Sequence, residues 1–526
     1  MPEYLHPGVY IEEIERGPRP IEGVATSTAA FLGEAERGPI KPRLVTSYKE
    51  YQRWFGSIFD PNKFLPYAAN GFFENGGKRV YIARLVGPNA AAAEIAAGDF
   101  SVRASGPGAW GKRVWARIDP SSTKKADGTP VGFRLRLAYF TVAPPGGMFD
   151  PFADDNLRTL PRPSLIEDFD DLVLDESSPD YMGKRIPFID LDKGDKNQGP
   201  DSSALGILVR NGGVDPATLP QIPTSAALDN GADDPNALTS ADYTGDMAGT
   251  LRSELQGLMA LELDPYRDVA LVYAPAASGD VVTEIVTHCE NMRYRFAVVD
   301  CDKTVSDPNP RSQFNTDTNY AAYYYPWIWI SDPATGARKL VPPGGYALGV
   351  YARTDSERGV FKAPANEIVR GALDVQVDVN DNTQDTLNPR GVNVIRQFPG
   401  RGIRIWGART MTSNALWKYV SVRRLFIFLE RSIFEGTQWV VFEPNDPRLW
   451  ARVTDTIRLF LRAQWRLGAL YGRTEEQAFF ITCNETTMSQ DDILNGRLIC
   501  EIGIAPVRPA EFVVFRIFQN TAEAQR

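Results

Sequence analysis

Three consecutive runs set the tightest limit on how this chain can fold. Asp268–Ala274 is an apolar, β-prone run, Gly279–Arg293 repeats its apolar residues at helical spacing, and Phe296–Val299 is β-prone again. Strand, helix and strand in that order predict a βαβ unit, with two parallel strands joined by a right-handed crossover. Tyr323–Ile330 adds an aromatic strand and Gly345–Arg353 a short helix. Together they predict an α/β domain over residues 241–375.

The flanking regions differ in texture. Residues 1–23 form an extended arm: Pro2, Pro7, Pro18 and Pro20, with Gly8, Gly17 and Gly23, surround one short β-prone run, Val9-Tyr10-Ile11. Proline and glycine at that density oppose helix and weaken sheet. Residues 24–86 read as the first part of the α/β core. Within them Val24–Leu32 is a candidate first strand, Ser47 caps a helix with Glu50 at the capping-box position, and Arg79–Val86 is an alternating strand. Residues 87–240 read as an inserted, mostly β, surface-facing domain with long loops. Its acids Asp168, Asp170, Asp171, Asp175 and Glu176 lack the spacing of a calcium loop and read as a solvated surface. Residues 376–510 form a last α+β domain, with helix over Ser413–Phe434, strand over Gln438–Phe442, helix over Pro447–Leu470, and strands over Ala478–Cys483 and Arg497–Ile504. The expected class is therefore multi-domain α/β, with mixed α+β parts.

The chain end carries the most informative local pattern. In Glu511–Phe518, Val513, Phe515 and Ile517 line one face, while Phe512, Val514 and Phe518 make the other apolar apart from Arg516. A strand with two apolar faces wants cover on both sides and pairing along both edges. Pro506 and Pro509 detach it from what precedes, so it can dock in its own domain or in a neighbouring copy by β-augmentation. With Val9, Tyr10 and Ile11 at the other end, two strand-bearing arms let one chain link several neighbours, and non-closing contacts build a helix of subunits. The long helix opens with Asp446 as N-cap and Pro447 at the first helical position. Trp450, Val453, Ile457, Phe460 and Leu461 fall on one side. Arg448, Arg452, Arg458, Arg462 and Arg466 fall within about 120° on the other, with Asp455 the one acid among them. Such a stripe is either a solvated cationic face or a docking face for an acidic partner.

Chemistry finds little foothold. The net charge of −9 disfavours a general nucleic-acid or membrane-surface role. Met1–Tyr10 has no apolar run of a secretory signal, so synthesis in the cytoplasm without membrane insertion is expected. Cys289, Cys301, Cys483 and Cys500 form no CxxC pair, and with only His6 and His288 no cofactor or metal site is expected. Ser278 with His288 is the one nucleophile–base combination near a strand end, but His288 flanks the apolar face of its helix and Cys289 shares the core stripe. Gly344, Gly345 and Gly349 lack dinucleotide-loop spacing and follow Pro342-Pro343 instead of a strand. Glu12, Glu13 and Glu15 sit on the open arm. No catalytic residue is assigned.

Several segments nevertheless resemble contractile tail sheath proteins. At the start these are Leu5–Glu13, Gly23–Gly33, and Gly71–Gly77 leading into Val80-Tyr81-Ile82. The central signature is Pro342–Ala347 with Gly349–Asp355, Arg358-Gly359-Val360 and Lys362–Asn366. Asn388-Pro389, Gly402-Ile403-Arg404, Trp406–Thr410 and Ala505–Phe512 complete the likeness. It covers residues 1–86 and 240–526; residues 87–240 match nothing in the family and read as a variable outward insertion. The resemblance implies a structural subunit of a phage tail or tail-like injection particle. Its partners would be other copies in a helical homo-oligomer, with hexameric rings as one arrangement, plus an inner tube protein, baseplate proteins and tail-terminator or cap proteins. It also implies that the terminal arms interlace with neighbours and that the C-terminal domain grips the tube, which would place the five arginines there. The competing readings are a surface adhesin working through the insertion and an α/β hydrolase-like enzyme.

Overall fold

The computed structural model describes residues 20–142, 150–152, 161–214, 218–245 and 256–516. The expectations for Val9, Tyr10, Ile11, Glu12, Glu13, Glu15, Ile517 and Phe518 lie outside the described residues. The chain divides into two compact units. One comprises residues 25–358 and 363–420; the other comprises 1–24, 359–362 and 421–526.

The larger unit is organised by a nine-stranded sheet. Its order is Glu367–Ile368, Gly402–Ile405, Val392–Phe398, Ala321–Tyr325, Phe296–Asp300, Leu271–Tyr273, Ala29–Gly33, Val80–Arg84 and Arg43–Val45. The inner strands from Val392–Phe398 across to Val80–Arg84 are parallel, and the outer ones are antiparallel. The predicted βαβ unit is present, with Gly279–Met292 as its helix. Ala29–Leu32 and Ala321–Tyr324 are fully buried because parallel strands are covered on both faces. Ser47 caps the Tyr48–Phe55 helix by accepting from the Glu50 amide, as its sequence position required.

The Gly344–Arg358 helix is longer than the sequence pattern indicated and lies against the Leu65–Glu74 helix. Its glycines make that approach possible. A Cβ at Gly345 would stand 2.6 Å from the Ala68 Cα, and one at Gly349 would stand 2.5 Å from the Phe72 carbonyl oxygen. The run that mimics a dinucleotide loop is therefore a close-packing surface between two helices.

Residues 94–227 contribute two further sheets around an apolar cluster that includes Phe100, Trp110, Leu135, Phe188 and Leu208. One has the order Gly194–Asn197, Phe188–Asp190, Gly206–Arg210, Phe100–Ala104 and Glu94–Ala97. The other has the order Ile222–Ala227, Val114–Pro120, Phe133–Tyr139 and Leu165–Leu172. Buried Glu36 ties this region to the first strands of the core, accepting from the Tyr139 hydroxyl at 2.5 Å and the Ser57 amide at 2.9 Å. The acids flagged there are engaged locally: Asp168 pairs with Arg134, Asp170 and Asp171 accept from Ser122 and Thr123, and Asp175 accepts from Ser177.

In the smaller unit, Val420–Gly436 and Pro447–Arg466 are helices, and Phe479–Thr482 pairs antiparallel with Glu501–Ile504. Their shared core gathers Leu425, Leu429, Trp450, Ile457, Phe460 and Phe479, and it also takes in Ile21. Ile21 packs against Gly436, and the Val24 amide donates to Ser432 Oγ at 3.2 Å. The chain just after the N-terminal arm is thus rooted in the same unit as the C-terminal segment. The expected strand over Gln438–Phe442 is instead a 3₁₀ turn at Gln438–Val440. That run lies between two helices, and among the described residues no strand pairs with it.

Candidate assembly interface

Asp446 accepts from the Leu449 amide at 2.8 Å and Pro447 opens the first turn, so the Pro447–Arg466 helix starts where the cap residues place it. Leu449, Trp450, Val453, Ile457, Phe460 and Leu461 are buried, which turns the arginine stripe outward. The stripe is less bare than the helix alone indicates. Glu475, from a later turn, reaches Arg462 at 2.6 Å and Arg458 at 3.7 Å; Asp455 lies 3.3 Å from Arg458, and Glu443 lies 3.8 Å from Arg452. The Glu475 hydrogen bond holds the Arg462 guanidinium above its ordinary value. Arg448 and Arg466 are exposed and make no ion pair among the described residues.

At helical spacing Leu459 falls within this stripe, and half of it is exposed. Next to the helix start, Phe442 is fully exposed with φ +69°, in the left-handed region that a bulky side chain rarely adopts, and Val441 beside it is exposed as well. Sequence reasoning missed Glu443, Glu475, Leu459 and Phe442. Leu459 was legible from its spacing; the acids come from other turns, and a backbone angle leaves no mark in the sequence.

The two-stranded sheet has open edges. Among the described residues neither Phe479–Thr482 nor Glu501–Ile504 has a second neighbour. The bond from the Ala505 amide to the Ala478 carbonyl fixes the ladder's phase, so the backbone groups of Ile481 and Ile502 point away from the pair, along the free edges. Phe512, Val513, Val514 and Phe515 follow the sheet in the chain. They are 73%, 66%, 77% and 84% exposed and join no strand of the described chain. Four consecutive exposed apolar residues thus lie in the same unit as a sheet whose edges no described strand covers.

The strand ends of the larger unit, where an α/β enzyme would hold its ligand, are filled by protein. Asp300 accepts from the Tyr273 hydroxyl at 2.7 Å, the Gly344 amide at 2.8 Å and the Ala276 amide at 3.0 Å. Burial outweighs these bonds and pushes its carboxyl up to about 6. Ser278 stands at the N-cap position of the helix that carries His288, without a side-chain capping bond, and ten residues of helix separate them by roughly 15 Å. His288 instead takes a 2.6 Å hydrogen bond from Arg295, and burial holds its imidazole below the ordinary value. Cys289 is buried among apolar residues, which pushes its thiol up to about 12. Among the described residues no group of His, Cys, Asp and Glu could hold a metal ion, and no helix is long and apolar enough to cross a membrane.

Comparison with known proteins identifies the family. Residues 236–411 match the phage tail sheath protein central domain and residues 412–520 match the phage tail sheath C-terminal domain, together more than half of the chain. A prophage major tail sheath protein of Pseudomonas aeruginosa (strain UCBPP-PA14) is 25% identical over 292 residues, 54% of this chain and 74% of that protein. The tail sheath protein of Vibrio phage KVP40 is 25% identical over 214 residues, 40% of this chain but only 31% of the relative. The PVC sheath of an extracellular contractile injection system, solved in its contracted state, covers 100% of both chains with a TM-score of 0.57 at 22% identity, a likeness of fold. The chain belongs to the phage tail sheath protein family, the structural subunits of contractile tail sheaths.

Proposed function

We propose that this chain polymerises helically around an inner tube and that the polymer shortens to drive the tube through a target envelope. The observation that carries the reading is the unfilled sheet Phe479–Thr482/Glu501–Ile504 in the unit that also exposes Phe512–Phe515. Residues 511–526 of one copy, and the arm at residues 1–23 with Val9, Tyr10 and Ile11, add as strands to this sheet in neighbouring copies. Main-chain hydrogen bonds give the link its strength, and alternate side chains, including Val513, Phe515 and Ile517 against Phe512, Val514 and Phe518, give it register. Strand links are tethered by the chain, so they survive while the bodies of the subunits repack. The work of contraction then comes from the difference between two packings of one polymer, without nucleotide hydrolysis.

The Pro447–Arg466 helix supplies the tube-facing surface, with Arg448 and Arg466 as its uncommitted charges and Leu459 as its exposed apolar residue. Arg452, Arg458 and Arg462 contribute through pairs that a partner's acids can exchange with Glu443 and Glu475. Residues 87–240 face outward. Baseplate and terminator or cap proteins bind the two ends of the polymer. The subunit is made in the cytoplasm and assembled into a phage tail or tail-like particle, with no catalytic role.

Electron microscopy tests the reading. The purified full chain should form hollow ribbed tubes, and chains lacking residues 1–20, a cut that leaves Ile21 in its core, or residues 511–526 should stay folded and monomeric. Sheath-like polymers from both truncated chains would end the interlacing-strand reading.

A further inference from the structure

Cys483 and Cys500 lie 17 positions apart in sequence yet face each other across the two-stranded sheet. The ladder pairs Phe479 with Ile504, Phe480 with Gly503, Ile481 with Ile502 and Thr482 with Glu501, so its next step sets Cys483 opposite Cys500. The Ala505-to-Ala478 hydrogen bond makes Phe480–Gly503 and Thr482–Glu501 the hydrogen-bonded pairs. Cys483–Cys500 therefore falls on a non-hydrogen-bonded position, where Cα atoms approach to about 4.5 Å and side chains come closest. Both side chains project to the same face. Cys483 is buried in the cluster that holds Phe479, Ile481, Ile502 and Ile504, and Cys500 packs against that cluster from a half-buried position. The two thiols lie close enough to act on each other's protonation. Cross-strand Cα separations of this size lie inside the range a disulfide spans without backbone movement.

We infer that Cys483 and Cys500 are a poised dithiol, a modification site at which a small-molecule disulfide writes a cross-strand staple into the sheet. Cys500, the more accessible sulfur, attacks one sulfur of the reagent as its thiolate; a Cys500–reagent bond forms and one thiol leaves. Cys483 then attacks the Cys500 sulfur, the protein disulfide forms and the second thiol leaves. Two protein thiols are oxidised and one disulfide is reduced to two thiols. The product closes the Asn484–Ile499 loop and fixes the end of the pair whose outer edges are open. The geometry stands whether or not a neighbouring copy fills those edges.

Burial slows the first step: it pushes the Cys500 thiol up to about 12 and raises Cys483 as well. Formation should therefore quicken as pH rises, roughly tenfold per unit well below that value, because the thiolate is the nucleophile.

The test uses the full chain with oxidised glutathione at pH 7.5 and 8.5, quenched by alkylation and read by peptide mass spectrometry. The expected product is a Cys483–Cys500 linked peptide, formed several-fold faster at the higher pH, with Cys289 and Cys301 still alkylated. A Cys483→Ser chain should instead stop at the glutathione adduct on Cys500. The oxidised wild type should unfold at a midpoint about 5–10 °C higher for this unit, reversed by a reductant. Free Cys483 and Cys500 after the reagent has oxidised a dithiol peptide in the same tube would overturn the inference. So would a lasting glutathione adduct on wild-type Cys500, or linkage of either cysteine to Cys289, Cys301 or another copy.

Discussion

The two sheets that matter most here end in opposite ways. The nine-stranded sheet of the larger unit tapers to the three-residue strand Arg43–Val45 on one side and the two-residue strand Glu367–Ile368 on the other. Short, antiparallel edge strands blunt the tendency of a sheet to keep growing. The sheet of the smaller unit has two strands of four residues, and among the described residues no further strand covers either edge. Among the described residues, one sheet ends in short capping strands and the other has no capping strand at all. In a polymer that must change its packing without falling apart, this division is useful. On the proposed reading, the open sheet is where backbone hydrogen bonds between subunits would form, and the nine-stranded sheet takes no part in them.

The largest expected effect comes from removing what the open sheet is proposed to receive. Deleting residues 511–526 should abolish polymer formation while leaving the thermal midpoint nearly unchanged, because Phe512–Phe515 are exposed in the isolated chain. Sedimentation and circular dichroism read the two halves of that statement; a large loss of midpoint would mean the segment completes its own unit.

The converse change strikes the closed side. Gly345→Ala forces a Cβ to within 2.6 Å of the Ala68 backbone, and overpacking of this kind costs about 3 kcal/mol. Urea unfolding should show that loss in the larger unit, and the residual folded chain should keep its capacity to polymerise.

Asp300 gives the closed side a pH signature. Its carboxyl is raised in the folded state, so the folded chain holds the proton more tightly than the unfolded one. The stabilisation is fully present below about pH 4 and is lost as pH rises through about 6. A carboxyl raised that far above its ordinary value is worth about 2–3 kcal/mol. Between pH 4 and 7 the wild type should lose stability by that amount relative to Asp300→Asn, measured as the difference in urea midpoints at each pH. Parallel pH profiles for the two chains would refute the assignment.

The smallest effect belongs to the helix that the open unit presents. Phe442→Gly removes a strained left-handed conformation and should stabilise the chain by about 1 kcal/mol, with weaker assembly on a tube. Arg448→Glu with Arg466→Glu should likewise reduce tube binding at unchanged midpoint, since neither makes an ion pair among the described residues. Variants that bind the tube normally would move the docking face elsewhere on the unit.

Much of this was legible in the sequence, because local chemistry dictated it. The apolar period from Asp268 to Val299 can be met only by strand, helix and strand, and Asp446 with Pro447 leaves one place for the helix to begin. Spacing also put five arginines on one side of that helix. The rest depended on which segments meet. Pairing Arg458 and Arg462 with Glu475, setting Cys483 opposite Cys500, and rooting Ile21 among the C-terminal helices all join residues whose separation in sequence says nothing about distance. Gln438–Phe442 has strand-forming side chains but no strand to pair with among the described residues, and it forms a turn. Composition and period decide what an element is; only the packed chain decides which edges remain unfilled, because an edge is defined by the strand that is not there.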